Sequence, residues 1–193
     1  MNGIILVISG PAGVGKTTLC DRLLKDYSPK LSRVITVTTR KPRKGEVNGV
    51  DYFFKTISDF KKLIRTNAFV EHAEIHGNLY GSLKSSTLQL LGNSHDVLLN
   101  IDIQGAASLK KLGAKSESLF NRIVTVFIMP LNLEDLRKRL KKRGQDSDQE
   151  IEKRLKTALN EINFMDQFDH VIHSKTMNED YSELIKIYGM HSS

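Results

Sequence analysis

The stretch GPAGVGKTT, Gly10 to Thr18, sets three glycines, a lysine and paired hydroxyls at the spacing G-x-x-x-x-G-K-[ST]. Glycine at Gly10, Gly13 and Gly15 admits backbone with φ > 0, which turns successive N–H groups inward as an anion nest. An apolar run leads into the loop and a helical pattern leaves it, so a helix N-terminus adds positive charge to the nest. The chemistry implied is nucleoside triphosphate binding by Gly10, Pro11, Ala12, Gly13, Val14, Gly15, Lys16, Thr17 and Thr18. Lys16 is expected to reach the β and γ phosphates, and the Thr17 hydroxyl to ligate Mg²⁺.

A second set lies in TVTTRKPRKGEVNGVDYFF, Thr36 to Phe54. Arg40 and Arg43 flank Pro42, which fixes local φ and biases Lys41 towards an extended conformation, so two guanidinium forks can converge on one anion. A solvated basic loop is the plainer reading of the same residues. The densest basic run, RKRLKKR from Arg137 to Arg143, precedes a polar segment, RGQDSDQ, and then Arg154. EHAEIH places His72 and His76 four apart, a metal spacing if helical, but Val70 to Ile75 alternates more like a strand.

These groups need a scaffold. Short apolar runs at Ile4–Ser9, Val34–Val37, Val97–Asp102, Ile123–Met129 and His170–His173 read as strands covered on both faces. Helical patterns fall at about 16–27, 105–112, 133–143, 149–164 and 178–188, which predicts βαβ units around a parallel sheet. Residues from about 38 to 91 are too many for a simple crossover and predict an inserted subdomain. The expected class is therefore α/β: a P-loop core of residues 1–37 and 92–193, an acceptor-binding insert over about 38–91, and a helical lid over about 137–154.

Composition narrows the function. At 193 residues, with 39% apolar and 26% charged, the chain suits one globular domain. Lys plus Arg number 29 against 22 Asp plus Glu, a net charge of +7 that suggests a polyanionic partner. Cys20 is the only cysteine, and no segment approaches the roughly 20 apolar residues of a membrane span, so a cytoplasmic location and no membrane partner are expected.

Taken together, TTRKPRKGEVNGVDYFF, FVEHAEIHGNLYGS, NIDIQGA and LRKRLKKRGQDSDQEIEKRL behind the P-loop resemble guanylate kinases in order and spacing, from about Gly3 to Tyr188. The resemblance implies transfer of a phosphoryl group from MgATP to GMP, and to dGMP, in purine nucleotide metabolism. It implies that Arg40, Arg43, Tyr52 and Tyr80 hold the GMP phosphate, that Thr36, Glu71, Gly81, Ser82 and Asp102 surround the guanine, and that Lys16, Arg43, Arg139, Arg143 and Arg154 serve catalysis. Guanine presents N1–H and an exocyclic amine side by side, and one carboxylate can accept from both. Adenine offers neither donor there, so a site built on Glu71 favours guanine.

The sequence departs from the family pattern in three places: Asn100 stands where aspartate is usual, Leu79 where tyrosine is common, and Ser174, Lys175 and Thr176 where Asn-Asp-Asp is frequent. Read as one strand, VLLNIDIQGA puts Asn100 and Asp102 on a shared face roughly 6.6 Å apart. Asp102 then faces guanine, and Asn100 looks towards the metal and acts on it through water. A protein-binding module without catalysis and a nucleic-acid binder are the competing classes. Intact Lys16, Thr17, Arg43, Arg143 and Arg154 weigh against the first, and the absence of an aromatic-rich RNA signature against the second. The oligomeric state, monomer or homodimer, stays open.

Overall fold

The computed structural model describes residues 3–75, 77–116, 119, 121–144 and 147–192, with only the backbone of Arg143. His76 and part of the RGQDSDQ segment, Gln145 and Asp146, lie outside the described residues.

Strand β1, Ile5–Ser9, is buried along its whole length and occupies the centre of a parallel sheet. Its neighbours are β7, Asp96–Asn100, and β8, Ile123–Met129; beyond them lie β2, Leu31–Arg33, and β9, His170–His173. Every pairing in this sheet is parallel. Side chains alternate across a strand, and β1 shows why its apolar run has no polar face. Leu6 and Ile8 enter a core shared with helices α1, Lys16–Tyr27, α5, Leu133–Arg143, α6, Asp148–Ile162, and α7, Met177–His191. Ile5 and Val7 enter a second core on the other face, with α4, Ile103–Ala114, and α3, Lys84–Gly92.

The segment between β2 and β7 builds a second sheet in the order β4-β3-β6-β5: β4, Phe53–Phe54, β3, Val37–Thr38, β6, Asn78–Leu83, and β5, Phe69–Ile75. Helix α2, Ile57–Arg65, opens on the Thr56 cap and buries Phe60, whose ring stacks on Phe69 at 4.6 Å. The strand expected over Val34–Val37 is not a single strand. Pairing in the main sheet ends at Arg33 and resumes at Val37 in the second sheet, because the chain passes from one core to the other. Val34 packs in the main core and Val37 in the smaller one, which explains an apolar run that reads as one element.

A buried polar link ties the chain ends to the sheet. Asp96, at the start of β7, accepts hydrogen bonds from the Ile4 amide at 2.8 Å and the Tyr188 hydroxyl at 2.6 Å. Tyr188 is fully buried, so its loss leaves a carboxylate oxygen without its donor. Tyr188→Phe is expected to lower the unfolding free energy by about 2 kcal/mol. Urea denaturation reads this directly, and an unchanged midpoint would show that the link contributes nothing.

Candidate active site

The nest is built at the carboxyl end of the central strand, where open parallel sheets bind their ligands. Gly10, with φ 136°, presses against β8: a Cβ there would lie 2.4 Å from the Ile128 carbonyl oxygen. Gly15 caps α1 with φ 113°. Lys16 Nζ donates to the carbonyls of Gly10 at 2.5 Å and Pro11 at 3.0 Å, so the ammonium is folded over the loop. Thr17 and Thr18 are exposed on the first turn of α1. Helix α5 backs the loop through Leu136 and Leu140, the side chains nearest Gly13.

A cleft opens from this loop towards the second sheet. It is lined by Gly10, Lys16, Thr36, Tyr52, Glu71 and Tyr80, and also by Asn100, Asp102 and Arg154. Residues from five separate stretches of sequence thus share one cavity. Glu71 reaches it by a break in alternation. Phe69, Val70 and Glu71 are all buried, and the β5–β6 register shifts between Phe69 and Glu71. That bulge sends Phe69 to the smaller core, Val70 to the main core and Glu71 to the cleft. Opposite Glu71 in register, Ser82 donates its hydroxyl proton to Glu71 Oε1 at 2.6 Å, beside buried Gly81. Burial pushes the Glu71 carboxyl up to about 7, against the Ser82 bond, and the nearby Asp102 charge adds to the rise.

Because EHAEIH is strand up to Ile75, His72 and Glu74 point away from Glu71 and are exposed. Among the described residues no group of three His, Cys, Asp or Glu side chains could hold a metal ion. His76, the second histidine of the metal reading, lies outside the described residues.

The expected strand geometry at Asn100 and Asp102 is corrected. Strand β7 ends at Asn100, and Asp102 is the N-cap of α4, its Oδ1 accepting from the Gly105 amide at 2.9 Å. The two side chains therefore do not share a strand face, although both line the cleft. Aspartate is among the strongest N-cap residues, because its carboxylate accepts from a first-turn backbone amide, and that signal outweighs the apolar run. Burial raises the Asp102 carboxyl above the usual range, while the α4 amides and Lys16 pull it down.

Gly105 was not singled out from sequence. It lies inside α4, where alanine would form better helix by about 1 kcal/mol. A Cβ at this position would fall 2.6 Å from Glu71 Oε2 and 3.2 Å from Asp102 Oδ1. The glycine makes room for one carboxylate, and its amide holds the other.

The arginine loop is organised by a residue that drew no notice, Glu46. The Arg40 guanidinium donates to both Glu46 oxygens, at 2.9 and 2.8 Å, and the Arg43 amide donates to Glu46 Oε2 at 2.7 Å. Of the two guanidinium forks expected to converge on an anion, only that of Arg40 holds this carboxylate; Arg43 contributes its backbone amide. This pair raises Arg40 and lowers Glu46 from their ordinary values. Arg40 also lies 5.2 Å from the Tyr52 ring centroid, and Tyr52 meets Tyr80 edge to face at 6.3 Å. Arg43 shares a second cleft with Thr17, Thr36, Tyr52 and Asn100.

Arg139 lies elsewhere: it donates to the Val14 carbonyl at 3.1 Å and pairs with Asp135 at 3.0 Å, against the outer side of the loop. Arg137 pairs with Glu152 and joins α5 to α6. The side chain of Arg143 lies outside the described residues. Helix α6 starts on a Ser147–Glu150 capping box and carries Arg154, Thr157 and Glu161 into the cleft. Past β9, Ser174 and the Lys175 amide are both bonded to Asp180, and Thr176 caps α7, so these positions serve local structure.

A glycine nest at the end of the central parallel strand, with a lysine folded over it and a cleft beside it, defines a P-loop nucleotide-binding protein of the α/β class. The guanylate kinase family model matches residues 2–189. The guanylate kinase of Caldanaerobacter subterraneus subsp. tengcongensis is 42% identical over 185 residues, covering 95% of this chain and 84% of that one. That of Rickettsia prowazekii is 40% identical over 185 residues, covering 95% and 87%. The crystal structure of guanylate kinase from Anaplasma phagocytophilum superposes with a TM-score of 0.79 at 30% identity, covering 99% of this chain and 87% of that one. The chain belongs to the guanylate kinase family of ATP:GMP phosphotransferases.

Two outcomes follow from the carboxylate geometry. Gly105→Ala is expected to raise KM for GMP about tenfold or more with kcat little changed and thermal stability retained; equal loss in both parameters would contradict a role in positioning Glu71. Accepting from guanine requires ionised Glu71, so guanosine, which carries no titrating phosphate, should bind more tightly as pH rises from 6 to 8 through the carboxyl value of about 7. A flat calorimetric profile would show that Glu71 does not face the base.

Proposed function

We propose that the protein transfers the γ-phosphoryl group of ATP to GMP, giving ADP and GDP, within the cleft between the P-loop and Glu71. The observation that carries this reading is the shared cavity: Lys16 of the loop and Glu71, held by the Ser82 hydroxyl behind it, line the same space. Glu71, with both oxygens directed by Ser82 and by the space over Gly105, accepts from guanine N1–H and the exocyclic amine. Thr36 and Asp102 complete the base site, and Arg40, Arg43, Tyr52 and Tyr80 take the phosphate.

In the reaction a GMP phosphate oxygen attacks the γ-phosphorus, and the bond to the β–γ bridging oxygen breaks. No protein base is needed, since the acceptor phosphate, with a second pKa of about 6, is already largely dianionic at neutral pH. Catalysis is positioning and neutralisation of charge, supplied by the loop amides, Lys16 and Arg154. Arg143, and Arg139 once released from Val14 and Asp135, are assigned to the same task on the lid, together with helices α5 and α6, whose closure excludes water as a competing acceptor.

Mg²⁺ fits the donor set. Thr17 and Asn100, a hydroxyl and an amide oxygen, line a common cleft beside the loop, and Mg²⁺ takes most of its ligands from phosphates and water. The ion would neutralise charge on the transferring phosphates. Asn100 keeps an acceptor oxygen for a metal-bound water but lacks the charge of aspartate. No helix among the described residues is long and apolar enough to cross a membrane, and we read the protein as a cytoplasmic enzyme of small-molecule metabolism.

ADP production with GMP, AMP and UMP offered in turn tests the reading. Turnover confined to the guanine acceptor supports it, and absence of GMP turnover contradicts it. Arg154→Ala should lower kcat about a hundredfold with a smaller change in KM for GMP; the reverse pattern would make Arg154 a ground-state binder. Asn100→Asp should reduce the Mg²⁺ concentration giving half-maximal rate, and an unchanged requirement would remove Asn100 from the metal site.

A further inference from the structure

Glu161 is a half-buried group that base recognition and phosphoryl transfer leave without a task. It lies seven residues after Arg154 on α6, so the two share a helix face, and Thr157 lies between them. All three line the cleft. Glu161 Oε2 is buried and has no hydrogen-bond partner. An unmet carboxylate oxygen at such a place is costly, which makes a bound donor the natural explanation for its retention.

Its place along the cleft narrows the donor. Glu161 shares the cleft with Lys16 and Asp102, and both of their charges act on it. Lys16 belongs to the phosphoryl end, and Asp102, beside Glu71 and Gly105, belongs to the base end. Between the base and the phosphate of a nucleoside monophosphate lies only the ribose, which offers a vicinal pair of hydroxyl donors. A carboxyl group has two oxygens to meet such a pair. Peptide or lipid ligands offer no comparable match between two ends already assigned to a purine and a phosphate.

We propose that Glu161 accepts hydrogen bonds from the ribose hydroxyls of the acceptor nucleotide and so sets the preference for ribo- over deoxyribonucleotide. This rests on the assignment of the cleft to GMP. Burial lifts the Glu161 carboxyl to about 7, in keeping with a group that lacks a partner until the sugar arrives.

The test compares kcat/KM for GMP, dGMP and 3′-deoxy-GMP in the unsubstituted protein, Glu161→Ala and Glu161→Gln. The unsubstituted protein is expected to disfavour at least one deoxy acceptor by about tenfold, the worth of a hydrogen bond to a charged group. Glu161→Ala should lose that factor on GMP and almost nothing on the disfavoured deoxy acceptor, bringing the ratio near unity. Glu161→Gln, which keeps one acceptor oxygen and nearly the same shape, should retain part of the preference. Equal losses on all three acceptors, or no preference to begin with, would overturn the proposal and leave Glu161 a structural residue. If GMP is not turned over at all, the kinase reading fails separately. Calorimetry with guanosine and its two deoxy analogues then still reads the ratio, and an unaltered ratio in Glu161→Gln and Glu161→Ala would overturn the proposal.

Discussion

A carboxylate held against the first turn of a helix is the constraint around which this molecule is arranged. Glu71 belongs to the second sheet and Gly105 to the main layer, and the space where a side chain would project from Gly105 is taken by Glu71 Oε2. The Glu71 carboxylate can lie so close to helix α4 because that helix position is bare. The β-bulge that aims Glu71 into the cleft also sends Val70 into the main core, so docking of the second sheet and placement of the base-reading group are one structural event.

The electrostatics follow from that burial. Glu71, Asp102 and Glu161 surround one cleft, and burial raises all three above ordinary carboxyl values. Lys16 pulls Asp102 and Glu161 back, and Arg154 lines the same space. Such a site is poorly satisfied alone and well matched to a ligand with several donors at one end and a dianion at the other. Its polar groups are already directed before the ligand arrives, which is the arrangement that penalises an analogue lacking the donors.

Much of this was legible in the sequence. The P-loop and its flanking strand and helix follow from glycine spacing and an apolar run, and the strands at Ile123–Met129 and His170–His173 fall where their apolar patterns predict. Local signals failed where two elements abut. Val34–Val37 reads as one strand because two cores claim adjacent residues, and Asp102 reads as strand because its capping bond to Gly105 competes with the apolar run from Val97 to Ile101, broken only at Asn100. Glu46, Gly105 and Glu161 were missed for a different reason. Their roles depend on partners in space: the Arg40 fork, the Glu71 carboxylate, and a cleft shared with Lys16. Only a glycine inside an otherwise helical pattern, where it lowers helix propensity, could have drawn attention to Gly105.

Acceptor choice depends on what Glu71 recognises. Glutamine has nearly the shape of glutamate, but its amide group turns a donor towards guanine N1–H or the exocyclic amine, where an acceptor is required. The decisive measurement is kcat/KM of Glu71→Gln with GMP and AMP beside that of the unsubstituted protein. A loss of about a hundredfold or more on GMP, with the low activity on AMP unchanged or raised, is the result predicted. Full retention of GMP preference by Glu71→Gln would contradict it and place guanine recognition elsewhere.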